Sequence, residues 1–90
     1  MTKAVITVLG SDRVGIIAAV STYLAKVEVN ILDISQTIMG DIFTMVMMVD
    51  ISAAKEPFDR IYAELDALGK DLGVKIQIQN TEIFDSMHKI

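Results

Sequence analysis

The chain has 90 residues, 52% of them hydrophobic and 22% charged, with a formal net charge of −4 and no cysteine. That length suits one small domain too apolar to be disordered, and the missing cysteines exclude a disulfide framework, a thiolate nucleophile and a thiolate metal site. The acidic balance argues against nucleic acid, no apolar run approaches the ~20 residues of a spanning helix, and the six-residue apolar run before Gly10 is too short for a signal peptide, so a cytoplasmic chain without membrane contact is expected.

Taken in order, "KAVITVL" (Lys3–Leu9) is β-branched and apolar on both faces, the signature of a strand covered on two sides. Ile16, Ile17, Val20, Leu24 and Val27 then recur at helical spacing, which predicts a helix over Val14–Lys26 with Ser11 or Asp12 placed to cap it. "NILDISQTIM" alternates, setting Leu32, Ile34 and Ile38 against Asp33, Ser35 and Thr37, as a strand with one wet face does. Gly40 and Asp41 make a turn into Ile42–Ile51, apolar at nearly every position and therefore a central strand. Pro57 opens a second helix, in which Phe58, Ile61, Tyr62, Leu65, Leu68 and Leu72 form an apolar stripe and Gly73 is the stop. "VKIQIQ" (Val74–Gln79) alternates as an edge strand, and Ile83, Phe84, Met87 and Ile90 fall on one helical face of a tail.

The order β-α-β-β-α-β predicts an α+β, ferredoxin-like domain: a four-stranded antiparallel sheet in the order 4-1-3-2 with two helices on one face. Residues 1–80 are expected to form this single domain, and 81–90 a short C-terminal helix docked against it. Strands 1 and 3 are apolar on both faces while helices cover one, so the open face needs a cover. Met39, Met45, Met47 and Met48 crowd into the hairpin and strand 3, where a protein partner or a second copy could seal the surface, and half of them serving as core still leaves an apolar excess that favours a homo-oligomer.

"GSDRVGI" (Gly10–Ile16) joins the first strand to the first helix, and a glycine near a helix start costs about 1 kcal/mol relative to alanine. A helix N-terminus favours anions, Gly10 and Gly15 permit close approach, and Asp12 and Arg13 offer partners for an ammonium and a carboxylate. The same residues also read as a simple cap, a solvated first-turn arginine and a glycine that eases helix–sheet packing.

This loop, followed by "VNILDI" at the start of strand 2, resembles the ACT domain, and specifically the short stand-alone bacterial ACT-domain proteins, relatives of amino-acid-binding modules of the glycine-cleavage repressor type. The similarity runs over about Thr2 to Asn80. It implies a regulatory homo-oligomer, a dimer foremost, in which a small ligand, typically an amino acid, binds where the strand 1 to helix 1 loop of one copy meets the start of strand 2 of another. Carried over, the site residues are Gly10, Ser11, Asp12, Arg13, Val14, Gly15, Asn30 and Ile31. Members that act as sensors carry the domain beside an enzyme or a second copy; here a separate regulated protein would read the signal, or the domain is an interaction module without a ligand.

Rival chemistries lack their residues. Acylphosphatases share this element order, but their loop pattern differs from "GSDRVGI", and the only histidine, His88, lies in the tail, so no enzyme is expected. No cofactor or metal is implied, and an RNA-binding face would need more aromatics than Phe43 supplies.

Overall fold

The two runs expected at the centre of the sheet lie there. In a computed structural model that describes residues 2–11 and 15–81, the elements are β1 (Lys3–Ser11), α1 (Ile16–Lys26), β2 (Asn30–Met39), β3 (Ile42–Asp50), α2 (Phe58–Leu72) and β4 (Val74–Asn80). The sheet is antiparallel throughout, in the order β2-β3-β1-β4, the ferredoxin-like arrangement expected from the sequence.

Strand periodicity divides each inner strand between two environments. Ala4, Ile6 and Val8 of β1 and Phe43, Met45, Met47 and Val49 of β3 are buried under the helices, with Ile76 and Ile78 of β4 beside them. Ile16, Val20 and Leu24 of α1 and Ile61 and Leu65 of α2 close this core, each large side chain contributing about 1.5–3 kcal/mol by leaving water. Met45 and Met47 therefore belong to the core. Met48 lies half-buried on the opposite face, in register with Val5, and Met39 is 69% exposed.

Two local expectations are corrected. The first helix begins at Ile16, and its N-cap is Gly15 in the left-handed region (φ 93) with no side-chain cap. Ser11 cannot serve, because it continues β1 opposite Ile42. In β2 the alternation breaks at a bulge between Ile31 and Asp33. One extra residue there resets the register, so Ile31, Ile34, Gln36 and Ile38 share the helix side with Val49, Met47, Met45 and Phe43, while Leu32 leaves the alternation. The helices cover β2 sparsely, leaving Ile34 38% and Ile38 57% exposed.

Pro57 caps α2 and Gly73 ends it with φ 75, as the pattern predicted. Thr81 has helical backbone, and its hydroxyl donates to the Lys3 carbonyl at 3.0 Å. The rest of the expected tail, 82–90, lies outside the described residues, as do Asp12, Arg13 and Val14 of the loop.

Candidate functional site

The end of β1 and the start of α1 build one half of the expected site. Gly10 sits between Phe43 of β3 and Val74 of β4, and a Cβ there would stand 2.7 Å from Val74 Cγ1, so close packing within the chain requires this glycine. Gly15 has a different reason. A Cβ at Gly15 would meet nothing within 4 Å, and it is the positive φ of the N-cap that selects glycine. Among the described residues, none occupies the space above its backbone.

The helix ladder begins with the Ala19 N–H donating to the Gly15 carbonyl at 2.9 Å. The N–H groups of Ile16, Ile17 and Ala18 precede it and have no partner within the helix, so the positive end of the α1 dipole faces outward beside Gly15. On the helix side this end opens into a cleft of about 210 Å³ whose walls include Gly15, Ile17, Gln36, Ile38 and Phe43. On the opposite face Leu9, Gly10, Ser11, Asp41 and Ile42 line a shallower one of about 340 Å³. Gln36, Ile38 and Asp41 were not nominated by sequence. Gln36 carried a weak signal, as the one polar residue between Ile34 and Ile38 on their face of β2.

The other half of the expected site is elsewhere. Asn30 pairs with Asp50, which pairs with Lys3, whereas Gly10 pairs with Phe43 and so with Ile38. Seven residues along β1 separate the two levels, roughly 23 Å at the rise of a strand. One chain thus places Gly10, Ser11 and Gly15 at one end of the sheet, on two different clefts, and holds Asn30 and Ile31 at the far end. Beside Asn30, Asp50 accepts hydrogen bonds from the Ser52 hydroxyl (2.6 Å) and the Ser52 N–H (2.9 Å). The Ser52 hydroxyl bond, followed by the backbone bond, holds the Asp50 carboxyl below the ordinary carboxylate range, so this end carries a negative charge at neutral pH.

Among the described residues no group of three or more His, Cys, Asp or Glu is placed to hold a metal ion, and no helix is long and apolar enough to cross a membrane.

Comparison with known proteins bears on the family and the fold. A family model described as the ACT domain matches residues 2–79. A UPF0237 protein of Clostridium acetobutylicum is 56% identical over 88 residues, which cover 98% of this chain and 99% of that one. Among solved structures, the ACT domain protein from Streptococcus pneumoniae superposes with a TM-score of 0.82 at 46% identity, covering 92% of this chain and 93% of that one. A glycine cleavage system repressor-like protein superposes with a TM-score of 0.74 at 27% identity, covering 89% of this chain and 46% of that one.

Proposed function

The chain belongs to the ACT-domain family, and from that premise we propose that it is a non-catalytic, cytoplasmic regulatory protein that binds an amino acid between two copies of itself. The loop of one copy supplies Gly10, Ser11, Asp12, Arg13, Val14 and Gly15, and the start of β2 of the other supplies Asn30 and Ile31. The N–H groups at the start of α1, which have no partner within the helix, suit the ligand carboxylate, assisted by Arg13, and Asp12 suits its ammonium group. A separate protein reads the occupied state.

The observation that carries this reading is the separation of the two half-sites combined with the open edge of the sheet. β2 has β3 on one side and no described strand on the other, and it is exposed at every position from Leu32 to Met39. An uncovered ten-residue edge is a template for strand pairing. A two-fold axis that joins β2 to β2 runs the strands antiparallel, and in the register that pairs the whole strand Asn30 of one copy lies opposite Met39 of the other. Met39 is in register with Ile42 and hence with Ser11. Edge pairing therefore carries each β2 start toward the other copy's loop.

The test is calorimetric titration with each common amino acid, at a concentration where light scattering has established the assembly size. Binding of one or a few, lost in both Asp12→Ala and Gly15→Val, is expected. Variants that bind as tightly as the parent overturn the site. A silent panel from an assembly of constant size replaces the sensor with an interaction module that has no ligand.

A further inference from the structure

The cleft beside Gly15 is unfinished within one chain. Its walls run from Ile17 of α1 across Phe43 of β3 to Gln36 and Ile38 of β2, and β2 is the last described strand of the sheet on that side. Apart from a bulge near its start, β2 lacks the devices that keep an edge unpaired: it holds one charge, Asp33, and no lysine or proline.

The bulge governs how this edge can meet a second copy of itself, because side chains opposite each other in an antiparallel ladder point to the same face. Counted as ten regular residues, β2 would place a two-fold axis between Ile34 and Ser35 and set Asp33 against Gln36. Those two lie on different faces, Asp33 beside Met48 and Gln36 beside Met45 on the helix side. Leu32, however, has no partner on β3, so the ten residues supply nine ladder positions, and the middle one is Ser35. An axis at Ser35 restores agreement at every pair: Asp33 with Thr37 and Asn30 with Met39 on the open face, Ile34 with Gln36 and Ile31 with Ile38 on the helix side. The two copies of Asp33 then stand four positions, roughly 13 Å, apart along the strands, so like charges do not meet. Moving the axis to Ile34 or Gln36 also matches the faces but pairs only seven positions.

We propose that two copies pair along β2 about an axis at Ser35, and that the partner's Ile31 and Ile34 complete the cleft beside Gly15 as a receptacle for an apolar ligand side chain. The partner's Ile31 faces Ile38 and the partner's Ile34 faces Gln36, the two β2 residues of the cleft wall, so the exposed Ile38 is covered. Asn30 shares the other face with Asp50, so of the two β2 residues expected in the site only Ile31 reaches this cleft. Among the described residues none that lines it is charged. Burying an unpaired charge there would be costly, so a leucine or isoleucine side chain is favoured over that of lysine or aspartate. The identity of the ligand rests on the amino-acid reading above, whereas the register rests on β2 alone.

Because the chain has no cysteine, single substitutions locate the axis. Ile34→Cys, Ser35→Cys and Gln36→Cys are each made in the full chain, oxidised under mild conditions and resolved without reductant. A disulfide needs Cα atoms within about 7 Å. At Ser35 the two copies lie about 5 Å apart across the ladder, whereas at positions 34 and 36 they are offset by a further two residues, roughly 7 Å along the strand. Ser35→Cys is expected to form the covalent dimer about tenfold faster than either neighbour. Faster closure at 34 or 36, or equal rates at all three, overturns the register and leaves edge pairing standing. No covalent dimer from any variant overturns edge pairing as well. Calorimetry on the parent then compares leucine and isoleucine with lysine and aspartate, and the first two are expected to bind about tenfold tighter or more. Equal or reversed affinities overturn the apolar receptacle but not the amino-acid reading, and a panel without binding overturns both.

Discussion

A Cβ on Gly10 would stand 2.7 Å from Cγ1 and 3.0 Å from Cβ of Val74, the first residue of β4. This glycine belongs to the loop pattern that suggests ligand binding, yet its nearest constraint lies inside the fold. Gly10→Ala is expected to destabilise the protein by about 1–3 kcal/mol through overpacking. Val74→Ala in the same chain should return part of that loss, which a double-mutant cycle by urea unfolding measures. Strictly additive effects would show that the contact does not limit position 10.

Glu28 offers the opposite kind of substitution. It holds φ 60 between α1 and β2, where a side chain costs about 1–2 kcal/mol. Its ion pair with Lys55 is long at 3.8 Å, and both side chains are more than half exposed, so the pair contributes little. Glu28→Gly relieves the strain and gives back part of the gain through a more flexible unfolded chain. A net stabilisation of about 0.5–1 kcal/mol is expected, and unchanged or lowered stability in thermal unfolding would contradict it.

The two helices are tied by the Tyr23 hydroxyl, which donates to Glu64 Oε1 at 2.7 Å. Partial burial, and next the bond to Glu64, raise the phenol's pKa well above its ordinary value. A raised folded pKa means that the stabilisation is fully present below the unfolded value, about 10, and is lost as pH rises beyond it. Tyr23→Phe should therefore cost about 1 kcal/mol at neutral pH. Denaturant titrations should show the gap from the parent narrowing above about pH 10.

Asp50 titrates in the other direction. Its carboxyl is held low, first by the Ser52 hydroxyl and then by the Ser52 N–H. A depressed folded pKa contributes stability above the ordinary carboxylate value, and this is lost as pH falls through the folded one. Asp50→Asn is expected to lower the melting temperature slightly at pH 7, with the difference vanishing in strong acid. A difference that persists unchanged below the carboxylate range would assign the effect to packing.

The element order and the identity of the inner strands were legible because both are written in local periodicity. Lys3–Leu9 and Ile42–Ile51 read as apolar on both faces, and they pair as β1 and β3 at the centre of the sheet. The apolar stripe from Phe58 to Leu72 became α2, with Pro57 and Gly73 at its ends. Half of Met39, Met45, Met47 and Met48 were expected in the core, but only the register shows that these are Met45 and Met47. The bulge at β2 was not legible, because Leu32 continues the apolar spacing and only pairing with β3 breaks it.

The sequence by itself determined the chain's elements, its ferredoxin-like order and the loop that marks its family, since each depends on neighbours a few residues apart. Tertiary structure decided what Gly10 and Gly15 answer to and how far apart the two halves of the proposed site lie. Gly10 answers to Val74, 64 positions away in the chain, and Gly15 to a backbone angle set where the chain turns from β1 into α1. Asn30 and Gly10 lie at opposite ends of the sheet because β1 and β2 run in the same direction on either side of β3. Such a placement exists only once the strands have paired.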